Sequence, residues 1–158
     1  MVDTNDEQKY LTKEGYETLK RELEELTTVK RRELAEKLQH AIGQGDLSEN
    51  AEYQEAKEEQ AFLEGRIREL ESTLSSATII SGGKGSTVRI GSTVALERGS
   101  SKKPVNYTIV GVEEADPMVS KISHQSPLGS ALLGRRAGEA VDVNTPRGVV
   151  KWKIKAVK

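Results

Sequence analysis

The chain has 158 residues, 31% of them charged and 4% aromatic, with one Trp, one Phe and no Cys. Disulfides, thiolate metal sites and thiol nucleophiles are therefore excluded, and no apolar run approaches the roughly 20 residues of a membrane span, so the composition reads as a soluble protein of a reducing, cytoplasmic compartment. The net charge of −1 conceals an uneven split, because residues 1–75 carry 11 Lys and Arg against 19 Asp and Glu whereas residues 76–158 carry 13 against 6.

Such a split is the mark of two units with different partners. A basic half is a usual signature of nucleic-acid contact, and equally an ordinary solvated surface. The opening "MVDTNDEQKY" is polar and has no apolar core of a signal peptide. From Thr12, a plausible N-cap, to about Ala41 there is no Pro and a single early glycine, Gly15. Tyr16, Leu19, Leu23 and Leu26 recur at helical spacing, and the stripe resumes at Leu34, Leu38 and Ala41 with a shift of one residue. A second stripe, Tyr53, Ala56, Gln60, Leu63, Ile67, Leu70, Leu74 and Ala77, repeats at alternating intervals of three and four, the seam of a coiled coil. The connector is short, so the two helices are expected to fold back antiparallel within one chain.

Between them lies "GDLSENAEY", residues 45–53. Asp46 and Glu49 have the spacing of a capping box, and acids suit the positive end of a helix. Capping accounts for only those two, while acids recur at 52, 55, 58 and 59 with Lys57 against them. A hard cation suits such a concentration. Mg²⁺ accepts one or two protein carboxylates and fills its other positions with water or phosphate oxygens, so an exposed pair would form a half-site completed by another molecule, as in two-metal phosphodiester chemistry.

"SGGKGS", residues 81–86, reads as a linker without the spacing of a phosphate loop. This divides the chain into residues 1–80 and 81–158. Beyond it the period falls to two. Strands are expected at 87–90, 93–97, 105–110 and 118–123, followed by a hairpin within 140–157 that turns at Pro146-Arg147-Gly148. In the last strand Val150, Trp152, Ile154 and Ala156 are expected to face the core, with Lys151, Lys153 and Lys155 outward. "SPLGSALLG", residues 126–134, is a short helix with Ser126 as N-cap and Pro127 at the first position. The second unit is a small antiparallel sheet with one helix, and the class is α+β. His40 and His124 are expected at the surface, and nothing in this unit resembles a catalytic site.

The segments "LTKEGYETLKRELEEL", "GDLSENAEYQEAKEEQAFLEGRIRELE", "SPLGSALLG" and "AGEAV" resemble the bacterial transcript cleavage factors of the Gre family, nearer its A than its B type, over nearly the whole chain. The resemblance implies an antiparallel coiled-coil hairpin that enters the secondary channel of RNA polymerase, and a C-terminal FKBP-like domain that docks at the channel mouth. It implies that Asp46 and Glu49 help bind the second Mg²⁺ of the polymerase and orient water for cleavage of the extruded RNA 3′ end. The chain would then be an auxiliary factor and not itself an enzyme, monomeric, with no membrane partner and no cofactor bound alone. Asn50, Tyr53 and Lys57 fall where the family supports the tip or meets RNA, and Ser126 and Pro127 where it docks. The approach "LQHAIGQGD" lacks the Arg or Lys common near such tips, which favours short RNA extrusions. The alternatives are a channel-binding regulator without cleavage activity, a prolyl isomerase, for which residues 76–158 offer only Tyr107 and Trp152 as aromatics, and a plain coiled-coil scaffold.

Overall fold

The computed structural model describes residues 9–45, 50–81 and 85–158. The chain forms two compact units, Tyr16–Ser76 on one side and residues up to Gly15 with Ala77–Lys158 on the other. The expected division after residue 80 leaves two short strands with the helices that by contact belong to the globular unit.

The arm, Tyr16–Ser76, holds most of α1 (Lys13–Glu25), a π turn (Leu26–Lys30), α2 (Arg31–Ile42) and α3 (Ala51–Ser76). Leu19, Leu34 and Ala41 are buried on the first strand of the hairpin, and Ala56, Ile67, Leu70 and Thr73 on the second. The one-residue shift in the first stripe has a physical cause. The Arg31 amide donates to the Leu26 carbonyl, five residues back, so the π turn takes in the surplus residue and both halves face the same seam. Thr27 Oγ1 donates to the Leu23 and Glu24 carbonyls at 2.8 and 3.1 Å, and Thr28 Oγ1 to Glu24 at 2.7 Å, supplying bonds that the widened turn disturbs. At the other end the stripe departs from expectation. Thr73 is buried whereas Leu74 is half-buried, because a helix of 3.6 residues per turn drifts against a strict heptad.

Ion pairs join the two helices side by side. Arg31 grips Glu64 with two bonds of 2.8 Å, and Arg66 grips Glu22 at 2.9 and 3.1 Å while also reaching Glu69 at 2.9 Å. The hydrogen bonds from Arg31 hold the Glu64 carboxyl below its ordinary range.

The globular unit begins with β1 (Tyr10–Thr12), which pairs in parallel with β2 (Thr78–Ile80). Thr12 caps α1 as expected, its hydroxyl accepting from the Gly15 amide at 3.0 Å. That hydroxyl also donates to Glu114 Oε1 at 2.6 Å, and the Thr12 amide donates to Oε2 at 2.7 Å. A Cβ at Gly15 would collide with the same carboxylate, so a larger residue there would displace Glu114 from Thr12.

A five-stranded sheet follows, in the order β5-β4-β3-β7-β6. Its members are β3 (Thr93–Arg98), β4 (Val105–Val110), β5 (Lys121–Ser123), β6 (Ala140–Thr145) and β7 (Gly148–Val157). The edge pair β4–β5 runs parallel and the rest antiparallel. The core comprises Val88, Val94, Leu96, Ile109, Leu132, Val141, Val143 and Ile154, with α4 (Pro127–Leu132) packed on β6 and β5.

Four local expectations are corrected. Residues 87–90 do not form a strand, because only Thr87 makes a bridge, to Arg136, before the chain turns at Ile90-Gly91. Pro117–Val119 is a 3₁₀ turn capped by Asp116, and the strand starts at Lys121 after Ser120 adopts a left-handed conformation. In β7 the register against β3 slips between Ala95 and Leu96; this bulge turns Val157 onto the core, where Ala156 was expected. His124 is half-buried rather than at the surface, its ring edge-on to Tyr10 at 5.5 Å.

Two outcomes test this packing. Leu70→Ala should cost about 2–5 kcal/mol of arm stability in a denaturant titration, as a buried leucine truncation does. Glu64→Gln should lower the melting temperature at neutral pH, and the difference should vanish on acidification. A depressed carboxyl contributes fully above its ordinary value of 4.5 and loses that contribution as pH falls through its folded value.

Candidate functional site

The candidate site lies where α2 gives way to α3. Ala41 and Ala56 are both buried here, so the seam next to the turn is built of alanine, and the spacing of packed helices follows the side chains between them. After Ile42 the helix stops at Gly43, whose amide donates to the Gln39 carbonyl at 3.1 Å. Gly45 then takes φ +116°, a conformation that favours glycine.

Asn50 joins the two helices. Its Nδ2 donates to the Ala41 carbonyl at 2.7 Å, and its Oδ1 accepts from the Tyr53 amide at 3.1 Å. Asn50 is thus the N-cap of α3. The capping box expected at Asp46 and Glu49 falls outside the described residues, as do both candidate Mg²⁺ ligands. The helix that begins at Ala51 receives its side-chain cap from Asn50, which local sequence signals allow, since Asn is among the preferred N-cap residues.

One turn into α3, Tyr53 is half-buried and the exposed Lys57 ammonium lies 5.9 Å from its ring centre while donating to Gln60 at 3.2 Å. Structure therefore brings Asn50, Tyr53 and Lys57 together. Glu52 stands 3.9 Å from His40. Glu59 is bound by Lys37 of α2 at 2.6 Å, and this hydrogen bond raises the lysine above its ordinary pKa. The acids beyond the turn thus have a second cation, 22 residues away along the chain, that spacing along α3 alone does not reveal. Among the described residues no group of three or more His, Asp or Glu could hold a metal ion.

Ser126 and Pro127 belong to the other unit. Ser126 is half-buried as the cap of α4, its Oγ accepting from the Gly129 amide at 3.0 Å and donating to the Ser123 carbonyl at 2.6 Å. Pro127 is exposed.

Residues 9–79 match the family described as "Transcription elongation factor, N-terminal", and residues 83–158 the one described as "Transcription elongation factor, GreA/GreB, C-term". The chain belongs to the GreA/GreB family. It is 52% identical to the transcription elongation factor GreA of Thermoanaerobacter pseudethanolicus, over 94% of this chain and 96% of that protein. It is 51% identical to GreA of Clostridioides difficile, over 94% of each. A crystal structure of GreA factor homolog 1 (Gfh1) of Thermus thermophilus is 35% identical, covers 96% of this chain and 99% of that one, and superposes with a TM-score of 0.44. No helix among the described residues of this GreA/GreB-family chain is long and apolar enough to cross a membrane.

Asn50→Ala should destabilise the start of α3 by about 0.5–2 kcal/mol, the range for a lost N-cap. Hydrogen exchange at the Tyr53 amide should accelerate first, ahead of amides near Leu70.

Proposed function

We propose that this chain is a transcript cleavage factor, which places its arm in the secondary channel of bacterial RNA polymerase and stimulates the polymerase's own cutting of a backtracked RNA 3′ end. The observation that carries the reading is the segment "GDLSENAEY", set between the two seam helices of a chain that matches the GreA/GreB family across both units. The chemistry belongs to the polymerase, and the chain is an auxiliary factor acting in the cytoplasm as a monomer whose seam is closed within one hairpin.

Asp46 and Glu49 are the residues that would share a Mg²⁺ with the polymerase. Their carboxylates are the hard oxygen donors that this cation prefers. When bound, such an ion stabilises charge on phosphate oxygens and lowers the pKa of its water. Asn50 holds the chain that leaves the turn, and Tyr53 and Lys57 offer an aromatic face and a cation to RNA beside it. Pro127, exposed as the first residue of α4, is the docking residue on the globular unit; Ser126 shapes that docking segment as its cap.

The arm's sequence is acidic, so its own charge does not draw it into a channel that admits Mg²⁺. Attachment through the basic globular unit supplies the attraction and raises the local concentration of the tip to the order of mM.

The test uses a stalled, backtracked elongation complex. Wild-type protein should shorten the RNA. Asp46→Ala and Glu49→Ala should each abolish shortening while still competing with wild type for the polymerase. If both variants cleave at the wild-type rate the acids are not the working groups, and if wild type binds without cleaving the chain is a regulator of the channel alone.

A further inference from the structure

The charge of the globular unit is concentrated. From Arg98 to Gly111 there are three cations and no acid, and from Asn144 to Lys158 five cations and no acid. These two runs are neighbours, because β3 pairs with both β4 and β7 and the Gly99 amide donates to the Lys151 carbonyl at 3.0 Å. Lys155 is taken by Glu97 at 3.2 Å. Among the described residues no ion pair takes Arg98, Lys102 or Lys103, and all three are exposed.

Tyr107 and Trp152, the two large aromatic residues of 76–158, lie at the same corner. Arg98 is the register partner of Trp152 and holds its guanidinium 6.0 Å from the indole centre. Tyr107 meets Trp152 edge-on at 6.0 Å, and both rings are half-buried. Cations beside aromatic rings make a platform for unpaired bases, which stack on rings or on arginine planes while phosphates meet the charges. An acidic protein would use the cations alone, and a duplex hides its base faces.

We propose that this corner is a binding site for single-stranded RNA, separate from the arm: Lys102 and Lys103 meet phosphates, and a base stacks on the Arg98–Trp152 pair.

Trp152 is the chain's only tryptophan, so its fluorescence reports on the site directly. The full chain is titrated with a short oligouridylate, without polymerase, over a series of salt concentrations. A saturable change in emission is expected. Three phosphate contacts on a single strand predict a slope of about −2 in log K against log salt. The triple variant Arg98→Gln, Lys102→Gln, Lys103→Gln should bind at least about tenfold more weakly and flatten that slope. Inorganic polyphosphate should compete without changing the emission. No emission change at low salt, or a triple variant that binds as well as wild type, would overturn the site. Tighter binding of duplex DNA, or the same emission change from polyglutamate, would also overturn it, in favour of a duplex or an acidic protein partner.

Discussion

Asn50 answers two demands with one side chain. A helix leaves its last carbonyls and first amides without internal partners, and in a tight hairpin both sets fall at the same place. The Asn50 amide group gives its nitrogen to the end of α2 and its oxygen to the start of α3. Everything that follows is placed by counting residues from that point. Ala56, Ile67 and Leu70 enter the seam, Lys57 stays outside it, and Glu59 comes within reach of Lys37. A candidate site at the turn can have a definite geometry only if the two helices that flank it start and stop at definite residues.

The base of the first helix is fixed by a residue from much further along the chain. Glu114 places both carboxylate oxygens on Thr12, whose hydroxyl in turn caps α1 at Gly15. A carboxylate near a helix N-terminus also meets the positive end of its dipole. The connection that carries Glu114 lies between β4 and β5, and Glu113 beside it approaches Lys9 at 3.9 Å. Glu113 and Glu114 are therefore engaged at this connection, whereas Arg98, Lys102 and Lys103, which no ion pair takes among the described residues, lie at the β3–β4 corner. The basic character of residues 76–158 thus has a location as well as a sum.

Much of this was legible in order along the chain. The three-and-four spacing announced both seam helices, and the one-residue shift after Leu26 was visible, although spacing alone does not name the π turn that absorbs it. Ser126, Pro127 and Gly134 bounded α4, and the alternation around Trp152 marked the last strand. What escaped depends on partners remote in sequence. Strands of three residues such as β1 and β2 carry too little pattern to be seen before they pair. The parallel β4–β5 edge, the bulge in β7, the Glu114 clamp and the Lys37–Glu59 pair are all decided by neighbours that local spacing does not name. At the candidate site the motif drew attention to Asn50, Tyr53 and Lys57, but not to Asn50 as the cap of α3, because an asparagine within an acidic segment is not recognisable as a cap until the first helical residue is known.

The π turn separates two quantities that a plain helix ties together. In an α-helix one added residue lengthens the rod by 1.5 Å and swings everything beyond it by about 100°. In this arm the extra residue between Leu26 and Leu34 is taken into a wider turn, so the azimuth is restored and Leu34 and Ala41 are buried in the seam as Leu19 is. Thr27 and Thr28 supply the hydroxyls that make the widened turn tolerable. A chain with such a turn can consequently gain or lose a single residue in this helix and still keep every later apolar side chain on the seam, a tolerance that a plain heptad does not have.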